Sequence, residues 1–236
     1  MRYSYVDGPV AAAHAPADER ADFIRKTYLH LGGAILAFTA LTALIVNSPL
    51  AEMMVGAMMA GGQMGWLVVL GLFMFIGFVA ERWAQSSSSK GMQYAGLGLY
   101  VVAEAVIFTP LLYIAAVVME APDLIAQAGI MTLSVFGGLT AVAFFSKKDF
   151  SFLGRFLAVA GFAAMGLIIV AVLFGLSLGS WFSMAMVVLA AGYILYYTSR
   201  ILHHYPIGSH VAASLNLFAA VALLFWYILQ LFMSRD

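Results

Sequence analysis

Hydrophobic positions along the chain fall into seven long runs separated by short polar links. A helix needs about 20 predominantly apolar residues to cross the hydrocarbon of a bilayer. The runs Ile24–Val46, Gly65–Trp83, Tyr94–Met119, Leu124–Phe145, Leu153–Gly175, Trp181–Ile201 and His210–Phe232 each meet that length. Asn47-Ser48-Pro49 ends the first, because proline lacks an N–H and bars its predecessor from the helical region. The stretch from Pro49 to Met64, with Gly56, Gly61 and Gly62 among methionines, predicts a part-buried or interfacial loop. Pro110 lies inside the third run and should bend it or free a carbonyl. Gly137, Gly138 and Ala141 in the fourth run, and Ala160, Gly161 and Ala164 in the fifth, predict faces smooth enough for close helix contact.

The last run has a different pattern from the other six. Its few polar residues keep helical spacing, with Asn216, Ala220, Tyr227 and Gln230 on one side and Leu, Val and Phe round the rest. A helix apolar nearly all round, with one thin polar seam, suits a span enclosed by other helices. The fold predicted is therefore an all-α membrane protein of seven transmembrane helices with the C-terminal helix central. Residues 1–22 mix Ala, Pro and charge without an apolar run and predict a flexible tail, leaving 23–233 as a single seven-helix domain.

Composition agrees with that class: 64% of the 236 residues are hydrophobic and 9% charged. Net charge is zero, which gives no ground for a nucleic-acid partner. The absence of cysteine excludes disulfides, iron–sulfur sites and thiol catalysis. Fourteen methionines read as packing filler rather than a soft-metal site. Ten of the eleven Lys and Arg fall in the tail and in the 2–3, 4–5 and 6–7 links, the exception being Arg235. By the bias of basic residues toward the cytoplasm, the N-terminus is expected inside, the C-terminus outside, and the chain in a bacterial inner membrane.

Three motifs in order carry a family resemblance. They are Phe23-Ile24-Arg25-Lys26-Thr27-Tyr28 leading into Leu31-Gly32-Gly33-Ala34, then Tyr193-Ile194-Leu195-Tyr196-Tyr197-Thr198-Ser199-Arg200-Ile201, then Phe225-Trp226-Tyr227-Ile228-Leu229-Gln230. With the short His/Tyr link between the last two, they resemble the Bax-inhibitor family, the TMBIM membrane proteins, over roughly residues 22–233. The resemblance implies seven spans and a calcium-leak activity latched by a proton-sensitive pair of aspartates. Here those two positions fall on Tyr197 and Ala220, so the latch cannot be carried over. Losing both acids together is coherent, since one alone would be an unpaired carboxylate in a low-dielectric site.

Glu104 is the one acidic residue well inside a span, about 15 Å along the helix from Tyr94 at ~1.5 Å per residue. At that depth a carboxyl must face the protein interior, be paired or hold a proton. It is either a titratable, cation-coordinating group on a pathway or a protonated group hydrogen-bonded across helices. Tyr100 and Phe108 lie one turn to either side. Arg82, next to Glu81, reads either as a lipid-phosphate anchor or as a basic group closing the inner mouth against the sixth–seventh seam. Tyr196, Tyr197 and Asn216 share a depth and predict a Tyr–Asn plug where the family has its carboxylates, with interfacial aromatics as the alternative. His203, His204 and His210 could hold a metal or titrate, although no carboxylate accompanies them in sequence. His30 reads as a hydrogen-bonded interior histidine, and Ser86–Ser89 as a linker.

A calcium cage takes about six to eight oxygens, several from carboxylates. With one buried Glu, only weakly bound calcium is expected and no cofactor. Two functions stay open: a pH-influenced calcium or cation leak, and a non-conducting regulator that docks on a membrane protease or other membrane complex. An enzyme is not favoured. No Lys lies in the last span to hold retinal, and no His–acid cluster or Ser–His pair is evident within the spans.

Overall fold

The computed structural model describes residues 10–87, 89–146 and 148–234, apart from the side chain of Gln63. It contains seven long helices: α1 (Ala17–Val46), α2 (Pro49–Ala84), α3 (Lys90–Tyr113), α4 (Pro122–Phe145), α5 (Leu153–Phe174), α6 (Gly179–His203) and α7 (His210–Met233). Each is long and apolar enough to cross a membrane, α2 through its part from Met64 onward. Their outer surfaces carry large bare side chains such as Phe145, Phe162, Phe174 and Trp181. Such a girdle is stable only against hydrocarbon.

The last helix is central, as its pattern predicts. α7 packs against α1, α2, α3, α4 and α6, and Leu217, Phe218, Leu224 and Leu229 on it are wholly enclosed. Apolar surface alone does not drive helices together in lipid, so the association rests on fitted packing. Phe108 of α3 supplies much of that fit. It stands edge-on to Phe38 of α1 at 5.0 Å and to Trp226 of α7 at 4.9 Å, and lies parallel to Phe225 at 5.7 Å. Edge-to-face and offset pairs of this kind are each worth about 0.5–1.5 kcal/mol beyond area burial.

Three expectations change. The stretch after Pro49 is helix rather than loop: proline suits a first helical position, and the Ala, Met and Leu that follow are good helix formers. The break falls later, at Gly62, whose φ of 54° only glycine adopts freely. The third run keeps its expected length past Pro110, with α3 continuing to Tyr113 and ending in a wider π-turn over Ile114–Val118. Gly137 and Gly138 face open space rather than a neighbour, and α4 packs instead through Leu124, Ala128, Thr132 and Ala143. The part of the tail from Ala17 to Asp22 opens α1, and Ala12 N–H donates to Tyr205 O at 2.9 Å while Ile207 N–H donates to Val10 O at 2.9 Å. Residues 1–9, Ser88, Lys147 and Arg235 lie outside the described residues.

The tightest helix crossing is α2 on α3. A Cβ on Gly96 would come within 2.5 Å of Ala80 O and of Ala84 N, backbone atoms that cannot step aside. Overpacking costs about 1–3 kcal/mol, so Gly96→Val should lower the thermal midpoint in detergent by roughly 2–10 °C. Gly137→Val, at an open glycine, should leave it unchanged, and equal midpoints for the two variants would count against the crossing.

Candidate functional site

A cavity of about 1200 Å³ opens between α2, α3, α5, α6 and α7. It begins near Gly62, Gly179 and Gln230 at one end of the bundle and reaches Gly154, Tyr196 and Tyr197 at the other. The second of these ends gathers the N-terminal segment and the 2–3, 4–5 and 6–7 links, and it is the basic end.

The polar seam of α7 lines this cavity through Ala220, Tyr227 and Gln230, and α3 contributes Tyr100, Glu104 and Phe108. Glu104 is 5% exposed, with Tyr100 one turn earlier on the same helix and in the same cavity wall. It faces the interior, as its depth requires. Tyr197 and Ala220 line the same cavity although they belong to different helices.

Three tyrosines wall the basic end. Tyr193 and Tyr197 stack at 6.0 Å with rings 17° apart, and Tyr196 tilts against Tyr197 at 5.1 Å. The rings can lie close to α5 because Gly154 and Gly161 leave room: a Cβ there would fall 2.7 Å from Tyr196 and 2.7 Å from the Tyr193 hydroxyl. Tyr193 donates its O–H to Leu157 O at 2.8 Å, which fixes α5 to α6. Behind the wall, Arg200 donates to the Tyr196 hydroxyl at 3.4 Å and lies over the Tyr205 ring at 4.9 Å.

The remaining predicted residues go elsewhere. Asn216 donates to the Tyr205 hydroxyl at 2.8 Å rather than to Tyr197, so the Tyr–Asn plug is replaced by a tie from α7 to the 6–7 link. The two residues share a depth but not a helix face. Arg82 lies exposed over the Phe78 ring at 5.2 Å, and Glu81 accepts from Gln85 at 3.0 Å. Neither lines the cavity, and the basic group behind its tyrosine-walled end is Arg200. His203, His204 and His210 do not converge. His210 packs on His30 at 4.9 Å, and His30 in turn is half-buried, stacked on Tyr94 at 5.4 Å and bonded to Lys26 O. His203 Nδ1 donates to Ser199 O at 2.9 Å.

His204 has a carboxylate partner that sequence distance hid. Its Nε2 meets Asp149 Oδ2 at 2.7 Å, and Asp149 Oδ1 accepts from Ser199 Oγ at 3.1 Å and from Ser151 N–H at 2.9 Å. Ser199 Oγ also accepts from Phe150 N–H at 2.8 Å. This clasp joins the 4–5 link to the end of α6. Alternation of spans puts both links on one side, which is the signal that could have found it.

Partial burial pushes the Asp149 carboxyl up, but the hydrogen bonds from Ser151, His204 and Ser199 outweigh it and hold the group well below the usual carboxylate range. Its stabilisation is therefore complete above the ordinary range near pH ~4 and fades as pH falls through the lowered value. Losing a charge-assisted bond at this half-exposed site costs about 1 kcal/mol. Asp149→Asn should thus lower the thermal midpoint at pH 7 by about 2–4 °C. The gap to wild type should narrow in scans below pH ~4; a gap of constant size would show that the carboxylate is not what matters.

The family described as Inhibitor of apoptosis-promoting Bax1 matches residues 20–236. An uncharacterized membrane protein of Vibrio cholerae is 30% identical over 213 residues, 88% of this chain and 87% of that protein. An uncharacterized protein of Pseudomonas aeruginosa is 33% identical over 111 residues, 47% of this chain and 50% of that protein. The Golgi anti-apoptotic protein of vaccinia virus is 30% identical over 142 residues, 57% of each. With seven membrane-length helices and a match over nearly its whole length, this chain is an integral membrane protein of the Bax-inhibitor family.

Proposed function

We propose that the chain is a slow cation leak of a bacterial inner membrane, conducting through the cavity beside α7, with its basic end in the cytoplasm. The observation that carries the reading is the position of Glu104. It is the one charged residue among the described residues lining the cavity, and it sits in the wall that Tyr197 and Ala220 share. A single carboxyl offers a crossing cation one charged stop and no cage, which suits transit better than storage. Calcium is the ion the family resemblance favours. The tyrosine wall closes the inner end, so conduction requires Tyr196 and Tyr197 to move aside. Protonating Glu104 removes its attraction for cations, so flux falls with pH.

A second reading is a regulator that docks on another membrane protein. Both family aspartates are absent at Tyr197 and Ala220, and the viral relative is named for an anti-apoptotic role rather than for transport.

Purified protein in liposomes loaded with a calcium dye decides between them. The leak predicts flux that exceeds empty liposomes at pH 8, drops at pH 5, and falls about tenfold or more in Glu104→Gln, as expected when a buried group's charge is lost. Flux equal to empty liposomes, together with a partner recovered by crosslinking in membranes, would establish the regulator instead.

Restoring the acids is a separate test. Tyr197→Asp with Ala220→Asp puts two carboxyls on the walls of one cavity and should raise calcium flux and make it steeply acid-inhibited. Flux indistinguishable from wild type between pH 5 and pH 8 would mean that these walls do not form the path.

A further inference from the structure

The cavity is far too greasy for a site built only around a hydrated ion. Its volume of about 1200 Å³ lies above the ~300–1,000 Å³ of ordinary small-molecule pockets, and most of its wall is Leu, Met, Ala and aromatic side chain. Apolar space this large inside a membrane protein is filled by something apolar and long. The lining decides the sign of any charge that occupant carries. No Lys, Arg or His is among the described residues of the wall, so an anionic head would be stripped of water with nothing to pair it. One carboxyl, that of Glu104, is buried there, with Tyr100 one turn earlier in the same wall.

Around that carboxyl the wall is aromatic. Tyr100 and Phe108 flank it on α3, Phe73 of α2 lies 6.3 Å from the Tyr100 ring, and Trp226 of α7 stands edge-on to Phe108 at 4.9 Å. Aromatic faces attract ammonium groups, most strongly where water is excluded. A buried carboxylate beside them gains the counter-charge it lacks when the cavity is empty. The way in is from the side. Phe162 of α5 and Met74 of α2 line the cavity and are also largely bare on the outer surface of the bundle, so its mouth lies toward the hydrocarbon.

We propose that this cavity binds hydrophobic cations, molecules with a long aliphatic body and one ammonium group, which enter from the bilayer and set the ammonium against Glu104 among the aromatic rings. The site is the one assigned above to the leak, and a ligand seated there would block it. A phospholipid is the poorer occupant: its phosphate would find no cation in the wall, and an acyl chain entering alone would leave Glu104 unpaired.

Binding can be read without measuring flux. Trp66 and Trp226 line the cavity, whereas Trp83 and Trp181 do not. In a Trp83→Phe, Trp181→Phe background, protein in phosphatidylcholine nanodiscs would be titrated with dodecyltrimethylammonium brominated on its chain, which quenches tryptophan on contact. The result expected is saturable quenching, displaced by the unbrominated amine and weakened about thirtyfold in Glu104→Gln, the loss typical of a broken buried charge pair. Ala158→Phe, which projects a ring into the cavity from an exposed position on α5, should abolish saturation while leaving the helical circular dichroism and melting unchanged. This second variant serves if Glu104→Gln does not fold. Brominated dodecyl sulfate should give only the shallow, non-saturating quenching of a detergent dissolved in lipid. Equal saturation by the sulfate, or an affinity untouched by both variants, would overturn the proposal. So would the absence of saturation in the parent protein, as when phosphatidylcholine already fills the space. Saturable binding without calcium flux would remove the leak and keep this site, and flux without saturable binding would do the reverse.

Discussion

The structure depends on one helix that scarcely meets lipid. Burying α7 gains nothing from the hydrophobic effect in the way a water-soluble core would, because hydrocarbon surrounds the bundle already. What holds the ring of helices to it is shape: Phe218, Phe225 and Trp226 locked against Phe38, Tyr100 and Phe108. The same requirement sets the limits of the packing. On the side facing α5 the fit fails, and the failure is the cavity. There α7 presents Ala220, Tyr227 and Gln230 rather than bulk aliphatics, and α5 itself packs chiefly on α6 and α2. The polar seam is therefore both the mark of enclosure and the place where enclosure is incomplete.

Much of this could be read in the chain. Seven runs of membrane length gave seven helices, and the spacing of the α7 seam placed that helix at the centre. Helical periodicity put Tyr100, Glu104 and Phe108 on one face, and the alignment of Tyr197 with Ala220 set both on one cavity. The first of these rests on a single period, 3.6 residues, which determines direction along one helix; the second rests on the family resemblance. The readings that changed needed information a period does not hold. Glycine pairs such as Gly137-Gly138 resemble a contact face whether or not a neighbour arrives, whereas the functional glycines, Gly96, Gly154 and Gly161, are known only by what sits on them. Asn216 and Tyr197 have matching depth, but depth leaves the azimuth free, and Asn216 turned to Tyr205. Asp149 and His204 are 55 residues apart, and only the shared side of the membrane links them.

The basic end is held by short polar ties rather than by grease. Asp149 joins the 4–5 link to α6, Tyr205 receives both Asn216 and the backbone of Ala12, and Arg200 rests on Tyr196 and Tyr205. The carboxylate of these ties, Asp149, lies in the link rather than within a helix. A carboxylate there stays half in solvent, avoids the cost of burial in lipid, and can hold the helix ends together across the neutral range.

The seating of α5 has a mechanical consequence. Along one edge it is pinned to α6 by the Tyr193 hydroxyl on Leu157 O and by rings nested over Gly154 and Gly161, and the Asp149 clasp tethers the link that leads into it. Its other edge meets α2 beneath the bare faces of Phe162 and Met74. The polar ties of α5 thus lie along one edge, while the other edge is held by apolar contact with α2. A molecule passing sideways would need α5 to turn away from α2, and the tyrosine-lined edge is where that turn would pivot.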